Sequence, residues 1–168
     1  MFSGCKALTS WTVELPNLTN GTSMFAFCYG LTSFSGGLSS LTDGSNMFNY
    51  CTDLASWIVD LPSLTNGYYM FSNCSNLTSF SGDLSKLEGT AMGTNGGYHM
   101  FDKCTKLKTF NSTLPKLVNG DAMFQNCILD EASVLNILNS IPTYPSGTRK
   151  LHLGKYTNQR TLKMRIFM

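Results

Sequence analysis

A chain of 168 residues with 42% hydrophobic content is long enough to bury a core, which excludes an intrinsically disordered polypeptide. Charged residues make up only 13% of the sequence, so the surface is expected to be polar but weakly charged. Such a surface suits hydrogen-bonding partners, such as glycans or protein surfaces, better than polyanions, and it argues against nucleic acid as the partner.

A repeated unit that begins Met-Phe runs through the sequence from its first residue. The units start at residues 1, 24, 47, 70, 100 and 123, so the spacing is 23 residues except for one interval of 30. Counted from the Met, a Cys stands at the fifth position, leucines at the eighth, fifteenth and eighteenth, and an aromatic residue at the eleventh. We predict a strand at Leu8–Val13 and its equivalents, followed by a corner at Asn-Gly or Asp-Gly.

The length of the unit indicates how the copies pack. One such unit cannot bury its own apolar side chains, whereas stacked units place equivalent residues above one another. A period in the twenties with regular leucines predicts a leucine-rich-repeat solenoid, in which short parallel strands stack in a right-handed coil. The fold would be mostly β, with irregular or short helical returns. We expect the repeats to span residues 1–127, with a Gly-rich loop inserted near 88–97 and a C-terminal cap and basic tail at 128–168.

The six cysteines share the fifth position of the unit. Because equivalent positions stack, we predict a ladder of buried, free thiols rather than a disulfide framework, although neighbouring rungs lie within disulfide reach. One Cys per rung does not converge into the four ligands that zinc needs. The ladder comprises Cys5, Cys28, Cys51, Cys74, Cys104 and Cys127.

A second, longer period is visible in the variable positions. The first and third units share Trp11-x-Val13 and Trp57-x-Val59, whereas the second and fourth have Phe-x-Gly at the same place. The first unit matches the third at 13 of 23 positions and the second at 10. This indicates duplication of a 46-residue pair, in which bulky and small residues alternate between neighbours.

The repeat register ends after Cys127. Apolar residues at helical spacing within 132–141, among them Val134, Leu135 and Leu138, predict an amphipathic helix that Pro142 ends. Residues 149–154 and 162–166 alternate between polar and apolar, as strands do. We expect the helix and strands to cover the last repeat. The last twenty residues carry six basic and no acidic residues. Such a tail can bind nucleic acid or an anionic surface, but we interpret it as a solvated segment or one that packs on an acidic neighbour.

Large side chains at variable positions mark a candidate binding surface, and Phe27 and Tyr50, which share the fourth position of successive repeats, are expected to be adjacent on it. Exposed aromatic rings stack on sugars and anchor protein interfaces. The alternative is that some of them fold back onto the core or staple neighbouring repeats. The candidate ligand-binding residues are Phe27, Tyr29, Tyr50, Tyr68, Tyr69, Tyr98 and His99.

No catalytic motif, metal-ligand spacing or cofactor-binding motif is recognisable in the sequence, so we predict no catalytic residues, no metal and no cofactor. No signal peptide and no segment long enough to insert into a membrane is visible. The first unit has no distinct cap before it, which would leave an open stacking edge for self-association.

The unit Met-Phe-x-x-Cys-x-x-Leu-Thr-Ser-Phe resembles the BspA-type leucine-rich repeats of bacterial surface proteins and phage-encoded proteins, over roughly residues 1–127. The resemblance implies a curved solenoid with a recognition role, located at a cell surface, outside the cell or on a virion. We therefore predict a non-enzymatic recognition or adhesion module that binds a protein or a glycan through its repeat surface. The alternative is a structural component of a phage or surface assembly.

Overall fold

A computed structural model of the chain describes residues 1–88, 96–141 and 151–154. Its strands are two residues long and recur at the tenth and eleventh positions of successive repeats, so they are shorter than the predicted Leu8–Val13. The elements are β1 (Ser10–Trp11), β2 (Ser33–Phe34), β3 (Ser56–Trp57), β4 (Ser79–Phe80), β5 (Thr109–Phe110) and α1 (Glu131–Ser140).

The strands pair in parallel, each with its equivalent in a neighbouring repeat. Strand β1 pairs with β2, and β3, β4 and β5 form a second sheet in that order. Residues at the same repeat position face each other, as in the pairs Ser10–Ser33 and Trp57–Phe80. The predicted stacking of equivalent positions on short parallel strands is confirmed.

The longer interval before the fifth repeat does not shift this register. Ser79 of β4 still faces Thr109 of β5, thirty positions later. On either side of the extra residues the ladder continues, since Val118 N–H donates to the Glu88 carbonyl and Gly67 N–H to the Gly96 carbonyl, both at 2.8 Å. The predicted Gly-rich loop lies mostly outside the described residues, at 89–95.

The core contains two interleaved columns of aromatic rings. One column contains the Phe at the second position of each repeat, so that Phe48 and Phe71 stack with centroids 5.5 Å apart and planes 6° apart. The other contains the ring at the eleventh position, and Trp57 packs edge-on against Phe48 and Phe71 at 4.9 and 4.7 Å. Stacked and edge-to-face contacts at these distances are the favoured geometries for aromatic pairs.

Beside the rings, the cysteines form a ladder of hydrogen-bonded thiols. Each thiol from Cys28 onward donates to the backbone carbonyl of a Phe in the preceding repeat, as from Cys74 Sγ to the Phe48 oxygen at 3.2 Å. All six cysteines are free, and five are buried. The predicted burial is wrong for Cys5, which is exposed because, among the described residues, the first repeat is packed only against the second.

The alternation between neighbouring repeats has a steric cause. The indole nitrogen of Trp57 donates to the Val59 carbonyl at 2.7 Å, which fixes that carbonyl against the next repeat. A Cβ added at Gly82 would lie 2.3 Å from the same oxygen, and one added at Gly36 would lie 2.2 Å from the Val13 oxygen. A repeat with Trp-x-Val must therefore be followed by a repeat with Gly at the thirteenth position.

Replacing that glycine is expected to destabilise the protein. We expect Gly82→Ala to lower the free energy of unfolding by about 2–3 kcal/mol, because the new methyl group meets a backbone oxygen that cannot move alone. Gly37→Ala is the matched control, since its Cβ would meet only the end of the flexible Glu14 side chain, and we expect a loss below about 1 kcal/mol. Urea unfolding of both variants measures the difference, and equal losses would contradict the steric explanation.

Helix α1 (Glu131–Ser140) covers the end of the fifth repeat. Its N-cap is Asp130, whose carboxylate accepts from Ser133 N–H. The pKa of Asp130 is lowered mainly by a side-chain hydrogen bond with Ser133, and the bond from Ser133 N–H lowers it further. Ser133 Oγ accepts a hydrogen bond from Phe110 N–H at 2.8 Å. The hydroxyl thus takes the position that a backbone carbonyl of a further strand would have beside β5. The predicted helix is confirmed within one residue at each end. Its predicted apolar face is wrong at one position, since Leu135 is exposed.

The segment 151–154 lies against the end of the fifth repeat and the start of the sixth. Leu151 forms a parallel bridge with Gly120, and Phe124 N–H donates to the His152 carbonyl at 3.0 Å. The rest of the two predicted C-terminal strands, and the basic tail beyond residue 154, lie outside the described residues. In the described part of the chain, no helix has the length and apolar character needed to cross a membrane.

Candidate functional site

The candidate aromatic residues lie on the turns that join successive repeats. Each such turn contains two residues with positive φ, at the last position of one repeat and the fourth of the next, for example Tyr69 at 52° and Asn73 at 63°. Gly and Asn adopt this backbone most easily, whereas large side chains adopt it at a cost of about 1–2 kcal/mol. Phe27 and Tyr50 nevertheless occupy it, with φ of 60° and 62°.

Three of the candidates form one exposed group, which we call the Phe27 cluster: Phe27, Tyr29 and Tyr50. Their exposed fractions are 41%, 37% and 36%. Phe27 stacks on Tyr50 with centroids 5.2 Å apart, and Tyr29 meets Phe27 edge-on at 6.3 Å. The ammonium group of Lys6 lies 5.8 Å from the centre of the Tyr29 ring. Sequence phase alone predicted that Phe27 and Tyr50 are adjacent, and the structure places them so.

The other four candidates form a second group, the tyrosine cluster: Tyr68, Tyr69, Tyr98 and His99. Tyr68 stacks on Tyr98 at 5.7 Å, and Tyr69 stacks on His99 at 4.6 Å with planes 5° apart. These four side chains are half-buried rather than fully exposed. Their ring contacts join neighbouring repeats, as expected if these side chains have a structural role, but part of each side chain still reaches the surface. No ring contact joins the two clusters in the described residues.

A buried carboxylate contacts the tyrosine cluster, and no motif in the sequence pointed directly to it. Asp102 Oδ2 lies 3.0 Å from His99 Nδ1, and Asp102 Oδ1 accepts from Asn126 Nδ2 at 3.1 Å. The Asp102 side chain is only 8% exposed. The available signal was that Asp102 is the one charged residue at the third position of the six repeats. Its two bonds fix the orientation of the His99 ring.

The hydroxyl of Tyr69 is held in its neutral form. Burial raises the pKa of Tyr69, and the neighbouring Tyr68, Tyr98 and Asp102 side chains raise it further. The hydroxyl therefore remains a hydrogen-bond donor at neutral and mildly alkaline pH. A neutral phenol beside a buried carboxylate suits recognition of a polar partner group.

The geometry of both clusters restricts what they can bind. Within each stacked pair the rings lie face to face, so one face of each stacked ring is covered by its neighbour. Part of every candidate side chain remains at the surface, since each is exposed or half-buried. Among the described residues, no group of three or more His, Cys, Asp or Glu side chains could hold a metal ion.

The comparisons with known proteins agree with the repeat architecture. The sequence model of the BspA type leucine rich repeat region matches six copies in this chain, over residues 1–91 and 84–145. No curated protein and no solved structure matches the chain significantly.

The register of the strands and the phased leucines define a leucine-rich-repeat protein. With the match covering residues 1–145, the chain belongs to the BspA-type leucine-rich-repeat family. Membership of this family indicates a protein-interaction module, and leucine-rich repeats are generally non-enzymatic.

Proposed function

We propose that this chain is a recognition module that binds a protein partner through the Phe27 cluster and the tyrosine cluster. One observation carries the proposal: Phe27, Tyr50 and Tyr69 are large aromatic residues held at positive φ. Residues in such backbone conformations concentrate at functional sites, where the energetic cost is compensated by function. Gly4 and Asn73 occupy the same fourth position, so the turn itself does not require a ring there.

A protein partner fits the clusters better than a glycan. The inner faces of these stacked pairs are covered by the neighbouring ring, so a sugar could stack only on an outer face. Partly exposed phenylalanine and tyrosine side chains suit the mixed apolar and polar contacts of protein interfaces, in which tyrosine is enriched.

We further propose that the repeats wind as a right-handed solenoid with residues 128–168 as its C-terminal cap. Parallel strands joined by crossovers are right-handed in almost all known cases. Helix α1 supports the cap, because its Ser133 hydroxyl takes the place of the next repeat's backbone at β5. An array of this kind at a bacterial cell surface or on a phage particle would present its turns to a partner.

The test is a paired screen of a random-peptide display library and a glycan array, using the wild-type protein and the triple variant Tyr50→Ala, Tyr68→Ala, Tyr69→Ala. We expect the wild type to select peptides, and the triple variant to bind them at least about tenfold more weakly, as when aromatic anchors are removed. Lys103→Ala serves as the control, because Lys103 has the same backbone conformation at the fourth position outside both clusters.

Three outcomes would count against the proposal. Unchanged peptide binding by the triple variant would remove these clusters as the site. Selection of glycans alone would replace a protein partner with a carbohydrate. A stable oligomer in light scattering, together with an empty screen, would favour a structural component of a surface or phage assembly, formed through the half-buried Phe2, Leu8 and Trp11 of the first repeat.

A further inference from the structure

The column of rings at the fourth position stops at a glycine. Tyr50 and Phe27 stack, and the residue one repeat earlier is Gly4. The backbone is equivalent at all three, since Gly4 N–H donates to Ala26 at 2.8 Å, Phe27 N–H to Asn49 at 2.8 Å and Tyr50 N–H to Ser72 at 2.9 Å. Gly4 is therefore related to Phe27 as Phe27 is to Tyr50.

The space that a ring at this position would occupy is open. A Cβ added at Gly4 would have no atom within 4 Å. Phe27 is 41% exposed, and Gly4 contributes no side chain to cover the ring face turned toward its repeat. By the repeat geometry, a ring placed over Gly4 would lie at about the 5.2 Å that separates Phe27 from Tyr50. We call this space the ring slot, bounded by Gly4, Phe27, Tyr29 and Lys6.

One side of the ring slot is positively charged. Lys6 is exposed and lies over the Tyr29 ring at 5.8 Å. Among the described residues, no carboxylate lies within ion-pair distance of Lys6. Its charge is therefore free to pair with a carboxylate of a bound partner.

We propose that the ring slot receives an aromatic side chain of the partner protein, with an aspartate or glutamate next to it that pairs with Lys6. This inference rests on the proposed function and names the chemistry of its partner. The incoming ring extends the column by one member, stacked on Phe27 over Gly4. A sugar fits less well, because its hydroxyls are neutral, whereas a carboxylate forms a charge-assisted hydrogen bond with Lys6.

The test is a titration by nitrogen-15 NMR with short capped peptides as probes. The probe N-acetyl-Trp-Asp-amide is compared with N-acetyl-Leu-Asp-amide, N-acetyl-Trp-Lys-amide and methyl β-galactoside. We expect the Trp-Asp probe to bind in the millimolar range and to shift the amide signals of Gly4, Lys6 and Phe27. The other three probes are expected to bind at least about threefold more weakly, because each lacks the ring, the charge or both.

Four variants distinguish specific binding in the ring slot from non-specific binding to the surface. Phe27→Ala removes the stacking face, and Gly4→Tyr fills the slot with the chain's own ring. Each is expected to weaken the Trp-Asp probe at least about tenfold. Lys103→Tyr adds a ring at the equivalent fourth position away from the slot and is expected to change nothing. Lys6→Gln is expected to abolish the preference for the Trp-Asp probe over the Trp-Lys probe.

The inference is overturned if Gly4→Tyr binds the Trp-Asp probe as well as wild type does, if the Leu-Asp probe or methyl β-galactoside binds better, or if no probe shifts any signal at about 10 mM. None of these variants alters the tyrosine cluster. If library peptides still bind through Tyr68 and Tyr69, only the ring slot fails. If the library screen is also empty, the proposed function fails with it.

Discussion

Raising the pH from 8 to 10 is expected to lower the free energy of unfolding by about 3 kcal/mol through Cys74 and Cys104 alone. Burial is the largest cause that raises the pKa of both thiols well above the ordinary 9.0. In the folded protein they keep their protons, whereas in the unfolded chain they ionise near pH 9. The stability is therefore present below pH 9 and is lost as the pH rises above it. Burial also raises the pKa of the Cys51 and Cys127 thiols.

Urea unfolding at several pH values between 7 and 10 measures this effect. The control is the double variant Cys74→Ala, Cys104→Ala, which should be less stable at pH 7 but should lose less stability on the way to pH 10. Tyrosine and lysine ionisation is the same in both proteins, so the difference in slope reports the two thiols. Identical slopes would show that the buried thiols are not the cause.

The second large effect is expected in the aromatic core. Phe71→Ala should lower the free energy of unfolding by about 3–5 kcal/mol, because it leaves a cavity at a fully buried site. Phe71 stacks on Phe48 and Phe101 at 5.5 and 5.4 Å and contacts the eleventh-position rings Trp57 and Phe80 edge-on. One substitution thus removes contacts to both neighbouring repeats.

Phe2→Ala is the matched control for this substitution. Phe2 has the same position in the repeat, but it is only partly buried, with rings packed on it from one side. We expect it to cost less than about 2 kcal/mol, measured by the same urea unfolding. If both substitutions cost the same, the stacked column would not be the source of stability.

Much of the fold could be predicted because the repeat places equivalent residues in one column. The phase of Cys28, Leu31 and Phe34 was enough to predict the parallel register and the core. Strand length was overestimated, since alternating residues such as Trp11 and Val13 resemble a longer strand. In the structure, the strand is two residues long in every repeat that has one, whether the eleventh residue is Trp or Phe.

The candidate site could be predicted less completely. Phase showed that Phe27 and Tyr50 are adjacent, because both stand at the fourth position. The positive φ of these residues is set by the turn as a whole, and an aromatic residue type gives no indication of it. The role of Asp102 depends on where His99 and Asn126 point, and the open space at Gly4 depends on the absence of any neighbour. Neither can be obtained from residue types alone.

The pairing of Trp57 with Gly82 also limits how arrays of this kind can gain or lose repeats in evolution. Deleting the second repeat alone would place a Val where the carbonyl of Val13 leaves room only for Gly36. Deleting the first two repeats together, or the third alone, creates no such clash. Recombination between copies therefore yields a stable protein only when neighbouring repeats remain sterically compatible. A Trp-containing repeat is retained only together with the glycine-containing repeat that follows it.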